Sequence, residues 1–316
     1  MSTPVKRFYF KNGRSISPIV INTAFGHSGR GMFPYILFHI YYWLLLLEAK
    51  RKKVTIIAKS FTRFSWTGNY IPWNIFTWKF IQRLPGKGLL NAYGLTNKGV
   101  NKIARKIKKS IQKGYQVIPN YFPKFDKGID IATNEATEAI KILHETLGSS
   151  FWIIELNFSC PNSKEKIAEN MENAVELVRR LKGAFPELII IAKGSPVHPY
   201  RFYRQLVEVG ADCLHLINTF PHDLFYEGEN KKSPLEKVGG GGVSGKPIGD
   251  KAYAYNKGAD GFLEGLNIPV IYGGGVSSVE DCEKYFSSTK QCVGVAICTA
   301  LIRLPREVLK IIKTYF

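Results

Sequence analysis

Eight short apolar runs recur along the 316 residues, each separated from the next by a stretch long enough for a helix. Few folds accept that alternation. The runs cover residues 18–24, 54–60, 115–122, 152–158, 188–193, 213–218, 269–272 and 292–298. They are apolar almost throughout, so both faces of each strand are expected to be buried, as in a parallel sheet covered by helices. Between them the period is helical: across 165–183, Ile167, Met171, Ala174, Val175 and Val178 fall on one face. Eight strand–helix units fit an α/β (β/α)8 TIM barrel better than an open sheet. No linker or internal repeat divides the chain, so residues 1–316 are read as a single domain. Residues 60–91 and 220–242 are long insertions of the kind that form lids over the C-terminal mouth, and an extra strand or hairpin fits near 89–93.

Charge raises a competing class. Lys and Arg number 44 against 25 Asp and Glu, a formal charge of +19, which invites a nucleic-acid partner. The densest basic piece, 97–114, places Val100, Ile103, Ala104, Ile107 and Ile111 at helical spacing with lysines between them. That is an amphipathic helix with a solvated basic face and Gly114 just past its end. No nucleic-acid motif accompanies it, so no nucleic-acid partner is expected. The longest apolar stretch, 32–47, is shorter than the roughly 20 residues a spanning helix needs. It is read as a buried barrel helix. Peripheral membrane docking is the alternative, because basic residues beside exposed aromatics suit an anionic surface. The start shows no apolar core of signal-peptide length. Five cysteines without a CxxC pair argue against a disulfide scaffold or a zinc site, so a cytoplasmic, reducing location and no metal are expected.

In a barrel, chemistry sits where strands end at the C-terminal mouth. Those ends carry Lys59 and Ser60, then Asn157, Ser159, Cys160 and Asn162, then Lys193, then Asn218 and Thr219. After the last two strands come Gly273, Gly274 and Gly275, then Cys298 and Thr299. Glycine turns that expose backbone N–H groups suit a phosphate. Amide side chains both donate and accept, so several at one mouth suit a ring with alternating C=O and N–H groups. A thiol among them can serve as a base, although a buried structural cysteine is the commoner fate.

The segment Glu155 to Asn162 (ELNFSCPN) resembles the signature of dihydroorotate dehydrogenases, in their cysteine-containing class 1 branch. Other pieces agree in order: Lys59-Ser60-Phe61-Thr62 with Gly68-Asn69 and Pro72, the loop Asn91 to Asn97 (NAYGLTN), Ala192 to Pro196 (AKGSP), and Asn218-Thr219. Gly241 to Pro247 (GGVSGKP), Gly273 to Val276 and Cys298 to Leu301 occupy the places of the remaining motifs. The likeness runs from about Ile19 to Ile302.

That resemblance implies a flavoprotein of pyrimidine biosynthesis that holds FMN across the barrel mouth and oxidises dihydroorotate to orotate. Lys193 would lie near the flavin ring. Gly245, Gly274, Gly275, Cys298 and Thr299 would hold the phosphate, and Lys59, Ser60, Asn157, Ala24 and Ile217 would also touch the cofactor. Asn91, Asn157, Asn162, Asn218 and Thr219 would clamp the substrate ring. Lys59 and the backbone of Tyr93, Gly94 and Leu95 would take its carboxylate. Cys160 would remove the C5 proton while a hydride passes from C6 to the flavin. The expected acceptor is fumarate or a separate electron-transfer subunit, since the chain lacks the clustered cysteines of an iron–sulfur centre. Quinone is disfavoured, because the quinone-using branch carries serine where Cys160 stands. A homodimer is expected. Alternatives are a related flavin oxidoreductase acting on another dihydropyrimidine or cyclic amide, and an FMN-binding barrel without turnover. Three positions depart from the family pattern: Cys298 replaces a glycine, Trp73 stands where an arginine is usual, and Tyr93 replaces a smaller residue.

Overall fold

A computed structural model describes residues 6–31, 40–158 and 167–316. Cys160, Asn162 and residues 32–39 of the apolar stretch lie outside the described residues. The central sheet is parallel, and its strands are β1 (Ile19–Asn22), β2 (Thr55–Ile57), β3 (Gln116–Ile118, resuming as Asn120–Tyr121) and β4 (Ile153–Asn157). They continue as β5 (Ile189–Lys193), β6 (Cys213–Leu216), β7 (Val270–Gly273) and β8 (Cys292–Ile297).

Nine hydrogen-bonded segments make the sheet, and its two end segments are the two halves of β3. One half pairs with β2 and the other with β4. Nine segments less one split therefore give eight barrel positions, and the sheet closes on itself. The break falls at Pro119, which has no N–H to give to the ladder. The run 115–122 is thus one strand in two pieces.

Strand alternation sorts the side chains. Facing inward at the N-terminal end, Val20, Ile57, Ile118, Ile153, Ile189, Ile191, Cys213 and Ile271 form one apolar plug with Phe10 and Ile16. Phe10 and Ile16 come from the antiparallel hairpin Phe8–Tyr9/Ser15–Ile16, which closes that end. The alternate residues, such as Ile19, Ile21, Ile154, Leu156, Ile190 and Leu214, pack outward in a second cluster with the helices. Two residues further along each inward row the chemistry changes: Val20 gives way to Asn22, Ile153 to Glu155 and then Asn157, Ile191 to Lys193, and Cys213 to His215. The strands are apolar at the bottom and polar at the mouth.

The longer helices are α1 (Ile40–Arg51), α2 (Gly99–Gln112), α3 (Ile129–Leu147), α4 (Ile167–Ala184), α5 (Tyr200–Glu208), α6 (Gly249–Phe262), α7 (Val279–Ser288) and α8 (Pro305–Tyr315). In α2, Val100, Ile103, Ala104 and Ile107 are buried while the lysines face solvent, as their spacing requires. The expectation of a buried helix at 32–47 needs correction over its described part. In α1, Tyr42, Leu45, Leu46 and Ala49 are buried, but Ile40, Trp43, Leu44 and Leu47 are exposed. Among the described residues no helix is long and apolar enough to cross a membrane.

The two insertions meet. Ile81–Leu84, Gly88–Asn91, Gly242–Gly245 and Phe220–Pro221 form a four-stranded antiparallel sheet at the mouth. Its central register sets Asn91 opposite Gly242 and Gly88 opposite Gly245.

Candidate active site

Where the inward rows turn polar, a cavity opens of about 1210 Å3, counting space continuous with solvent. Beneath it lies a fully buried ionic cluster. Glu155 Oε1 accepts from Asn120 Nδ2 at 2.7 Å and stands 3.5 Å from Lys193 Nζ. Its other oxygen, Oε2, lies 2.5 Å from His215 Nδ1. Lys193 Nζ also donates to Asn22 Oδ1 at 3.1 Å. Burial opposes the charge on Glu155, but Lys193 and His215 outweigh it and hold the carboxyl below the usual carboxylate range. Burial pushes His215 down against the pull of Glu155, so the imidazole is neutral and Nδ1–H is the donor. Its Nε2 has no hydrogen-bond partner among the described residues. The charged pair is therefore Glu155 with Lys193, and Lys193 carries its ammonium up to the cavity wall.

Most of the residues singled out in the sequence line this one cavity. Lys59 and Ser60 arrive just beyond β2, and Asn157 from the end of β4 donates to Ser60 Oγ at 2.8 Å. Tyr93, Gly94 and Leu95 form part of the lining, with Lys59 Nζ 3.5 Å from the centre of the Tyr93 ring. That contact gives Tyr93 a role no smaller residue has: it is a cation–π platform for the lysine. Burial pushes its phenol up, so it stays neutral. Asn91 lines the same wall and donates through Nδ2 to Gly242 O at 3.3 Å. Ile217, Asn218 and Thr219 follow β6 into the lining.

The opposite wall is made of turns. Gly274 and Gly275 follow β7, Gly245 ends the antiparallel strand, and Cys298 and Thr299 follow β8. Gly275 has φ +78°, and a Cβ there would meet Gly249 Cα at 2.3 Å. Gly245 has φ +88°, and a Cβ would meet Lys87 O and Thr299 Cγ2, both at 2.8 Å. Only glycine brings these backbones so close. Thr299 Oγ1 donates to Ser244 Oγ at 2.9 Å, and Cys298 Sγ lies 3.3 Å from Thr23 Oγ1. The half-buried thiol thus has room beside Thr23, and its backbone stays with the turn.

Ala24 is buried behind the wall, while its neighbours Asn22 and Thr23 line it. Trp73 is 70 % exposed and lies outside the lining, under Lys98 at 4.8 Å. Sequence reasoning passed over Glu155, His215 and Asn120 as participants, along with Ser244 and the apolar wall residues Ile81 and Leu89. The signal for the first two is present: each is a lone ionisable residue in the middle of an apolar strand.

Fold and site together define an α/β barrel whose mouth has a glycine-turn wall facing a cationic, amide-lined wall. Comparison with known families carries this further. The family model described as dihydroorotate dehydrogenase matches residues 48–314, and the chain belongs to that family. Its similar curated relatives include "Dihydroorotate dehydrogenase B (NAD(+)), catalytic subunit" of Porphyromonas gingivalis, 28 % identical over 216 residues, covering 66 % of this chain and 65 % of that protein. The protein of the same name in Bacillus thuringiensis is 28 % identical over 224 residues, covering 68 % of this chain and 66 % of the relative. The matched stretch thus spans slightly under two thirds of these relatives. A chain in the crystal structure of the Amycolatopsis orientalis BexX/CysO complex superposes with a TM-score of 0.50 at 12 % identity, over 98 % of this chain and 93 % of that one. That likeness concerns the fold alone.

Proposed function

We propose that this chain oxidises dihydroorotate to orotate with FMN as its resident cofactor, residues 1–316 acting as one cofactor-binding domain. The observation that carries the reading is a single cavity that gathers two lysines, four asparagine amides and two glycine turns, in a member of the dihydroorotate dehydrogenase family. The residues present fit the cofactor: the turns at Gly245 and Gly275 are cradles that a Cβ would fill, and the Lys193 ammonium supplies positive charge for an electron-rich ring. Gly245, Gly274, Gly275, Cys298 and Thr299 would hold the phosphate through their backbone, with Lys59, Ser60, Asn157, Ile217 and Lys193 around the rest. When bound, FMN supplies the two-electron acceptor.

The chain's own groups do the remainder. Asn91, Asn157, Asn162, Asn218 and Thr219 pair with the amide edges of the substrate ring, which rejects rings lacking those edges because buried amides would be left unpaired. Lys59, held over Tyr93, takes the carboxylate with the backbone of Gly94 and Leu95. Cys160 takes the C5 proton. The relatives are named as NAD(+) catalytic subunits, which supports delivery of electrons to a separate subunit over delivery to fumarate.

Anaerobic addition of dihydroorotate to the purified protein tests the reading. Bleaching of the yellow flavin absorbance is expected. A colourless protein that refuses added FMN, or a yellow one that dihydroorotate leaves unchanged, overturns it.

A further inference from the structure

We propose that the outward face of α1 docks this protein on an anionic lipid bilayer. The helix is apolar on two opposite sides. Tyr42, Leu45, Leu46 and Ala49 point into the core. Ile40, Trp43, Leu44 and Leu47 repeat the same i, i+3, i+4, i+7 spacing about half a turn away, and they are 68, 58, 38 and 57 % exposed. A helix apolar all round belongs in an interior or against another apolar phase; here one side already has its interior. Scattered exposed apolar residues need no explanation, but four on one stripe mark an interaction surface.

Charge says what covers it. Along the same stripe the helix ends in exposed Lys50 and Arg51, followed by exposed Lys53. On one flank Lys53 Nζ donates to Gly114 O, just past α2, whose outer face carries exposed Lys102, Arg105, Lys106, Lys108 and Lys109 and no acid. On the other flank the Arg306 guanidinium sits 5.0 Å from the Tyr41 ring, and α8 adds exposed Lys310 and Lys313. The acids nearby are Glu48, engaged by Arg51 at 2.8 Å, Glu307, and exposed Glu280 within electrostatic reach of Lys310, and the bases outnumber them. A second copy seated on this face by two-fold symmetry would bring like charge against like. A bilayer of anionic lipid offers both counter-charge on each flank and an apolar layer for the stripe, the arrangement of a helix lying in the interface.

Co-sedimentation of the full-length protein with vesicles tests this independently of the catalytic reading. With vesicles containing phosphatidylglycerol the protein is expected in the pellet, with phosphatidylcholine alone in the supernatant, and added salt should release it. Trp43→Ser/Leu47→Ser is expected to lower partitioning at least tenfold with the circular dichroism spectrum unchanged. Lys102→Glu/Lys106→Glu should do the same from the flank, and it decides the matter if the first variant fails to fold. Absence of the protein from phosphatidylglycerol pellets overturns the proposal, as does sedimentation that neither variant alters. So does a dimer that dissociates in the Trp43/Leu47 variant while lipid binding is absent, which would assign the face to a second copy.

Discussion

Lys193 reaches the mouth of the barrel paired to Glu155, with Nζ 3.5 Å from Oε1, and both side chains are shut away from solvent. Burying an ion pair is costly, and removing one partner is costlier than removing both, since the survivor is left uncompensated. Glu155 has two further anchors in Asn120 and His215, so the carboxylate is a fixed counter-charge. Glu155→Gln is accordingly expected to lower unfolding free energy by about 3 kcal/mol in urea denaturation. Glu155→Gln/Lys193→Met should recover part of that loss. Additive losses in the double variant would show that the two side chains are energetically independent.

Cys160→Ala is expected to leave FMN bound and to slow anaerobic flavin reduction by dihydroorotate roughly a hundredfold, the usual scale for a missing general base. Stopped-flow absorbance at saturating substrate measures it. An unchanged rate removes Cys160 from the mechanism.

Lys59 is held over Tyr93 at the cavity wall, whereas Lys108 lies on the solvent face of α2. A hydrogen bond to a charged group contributes about 1.5–3 kcal/mol, so Lys59→Ala should weaken orotate binding by about ten- to a hundredfold. Lys108→Ala should leave it unchanged. Titration of each variant with orotate makes the comparison, and equal effects would count against Lys59 as the carboxylate ligand.

Gly275→Ala places a methyl group 2.3 Å from Gly249 Cα at a positive φ. The turn must open, and FMN retention on desalting is expected to fall at least tenfold. Gly183→Ala is the matched control, because it lies in α4 with nothing within 4 Å of its Cβ. That variant should keep its flavin and gain a few tenths of a kcal/mol.

His198 gives the fold a pH dependence. Burial lowers its pKa to about 4, and its Nδ1 accepts from Ser195 N at 3.1 Å, as a neutral ring does. Because the unfolded ring titrates near 6.5, the unfolded chain takes up its proton first as pH falls. The stability from keeping this ring neutral is complete above about pH 6.5 and drains toward pH 4, by about 3 kcal/mol in total. The fall in Tm between pH 7 and pH 4.5 should be smaller in His198→Asn. A fall of equal size would assign it to other groups.

The barrel was legible in the sequence because strands buried on both faces read as apolar runs, and its mouth was legible because Lys59, Asn157, Lys193 and Asn218 stand where those runs stop. The cluster under the mouth was not. Within a run such as 152–158 nothing local says that Glu155 points inward and Leu156 outward until strand pairing fixes the pleat. Helix α1 misled for a related reason: Leu45 and Leu47 are alike in composition, yet one is buried and the other exposed. The pairing of Gly88–Asn91 with Gly242–Gly245 was equally hidden, since their partnership spans some 150 residues of chain. Glycine-rich strands carry little pattern of their own.

That ladder has a consequence for how the entrance works. Asn91 and Gly245, which face different parts of the cavity, are carried on the two end rungs of one hydrogen-bonded roof contributed by two distant excursions of the chain. On the proposed reading, loosening either excursion tilts the support of both, so a change that alters ring selectivity from this side of the doorway is expected to alter cofactor retention as well.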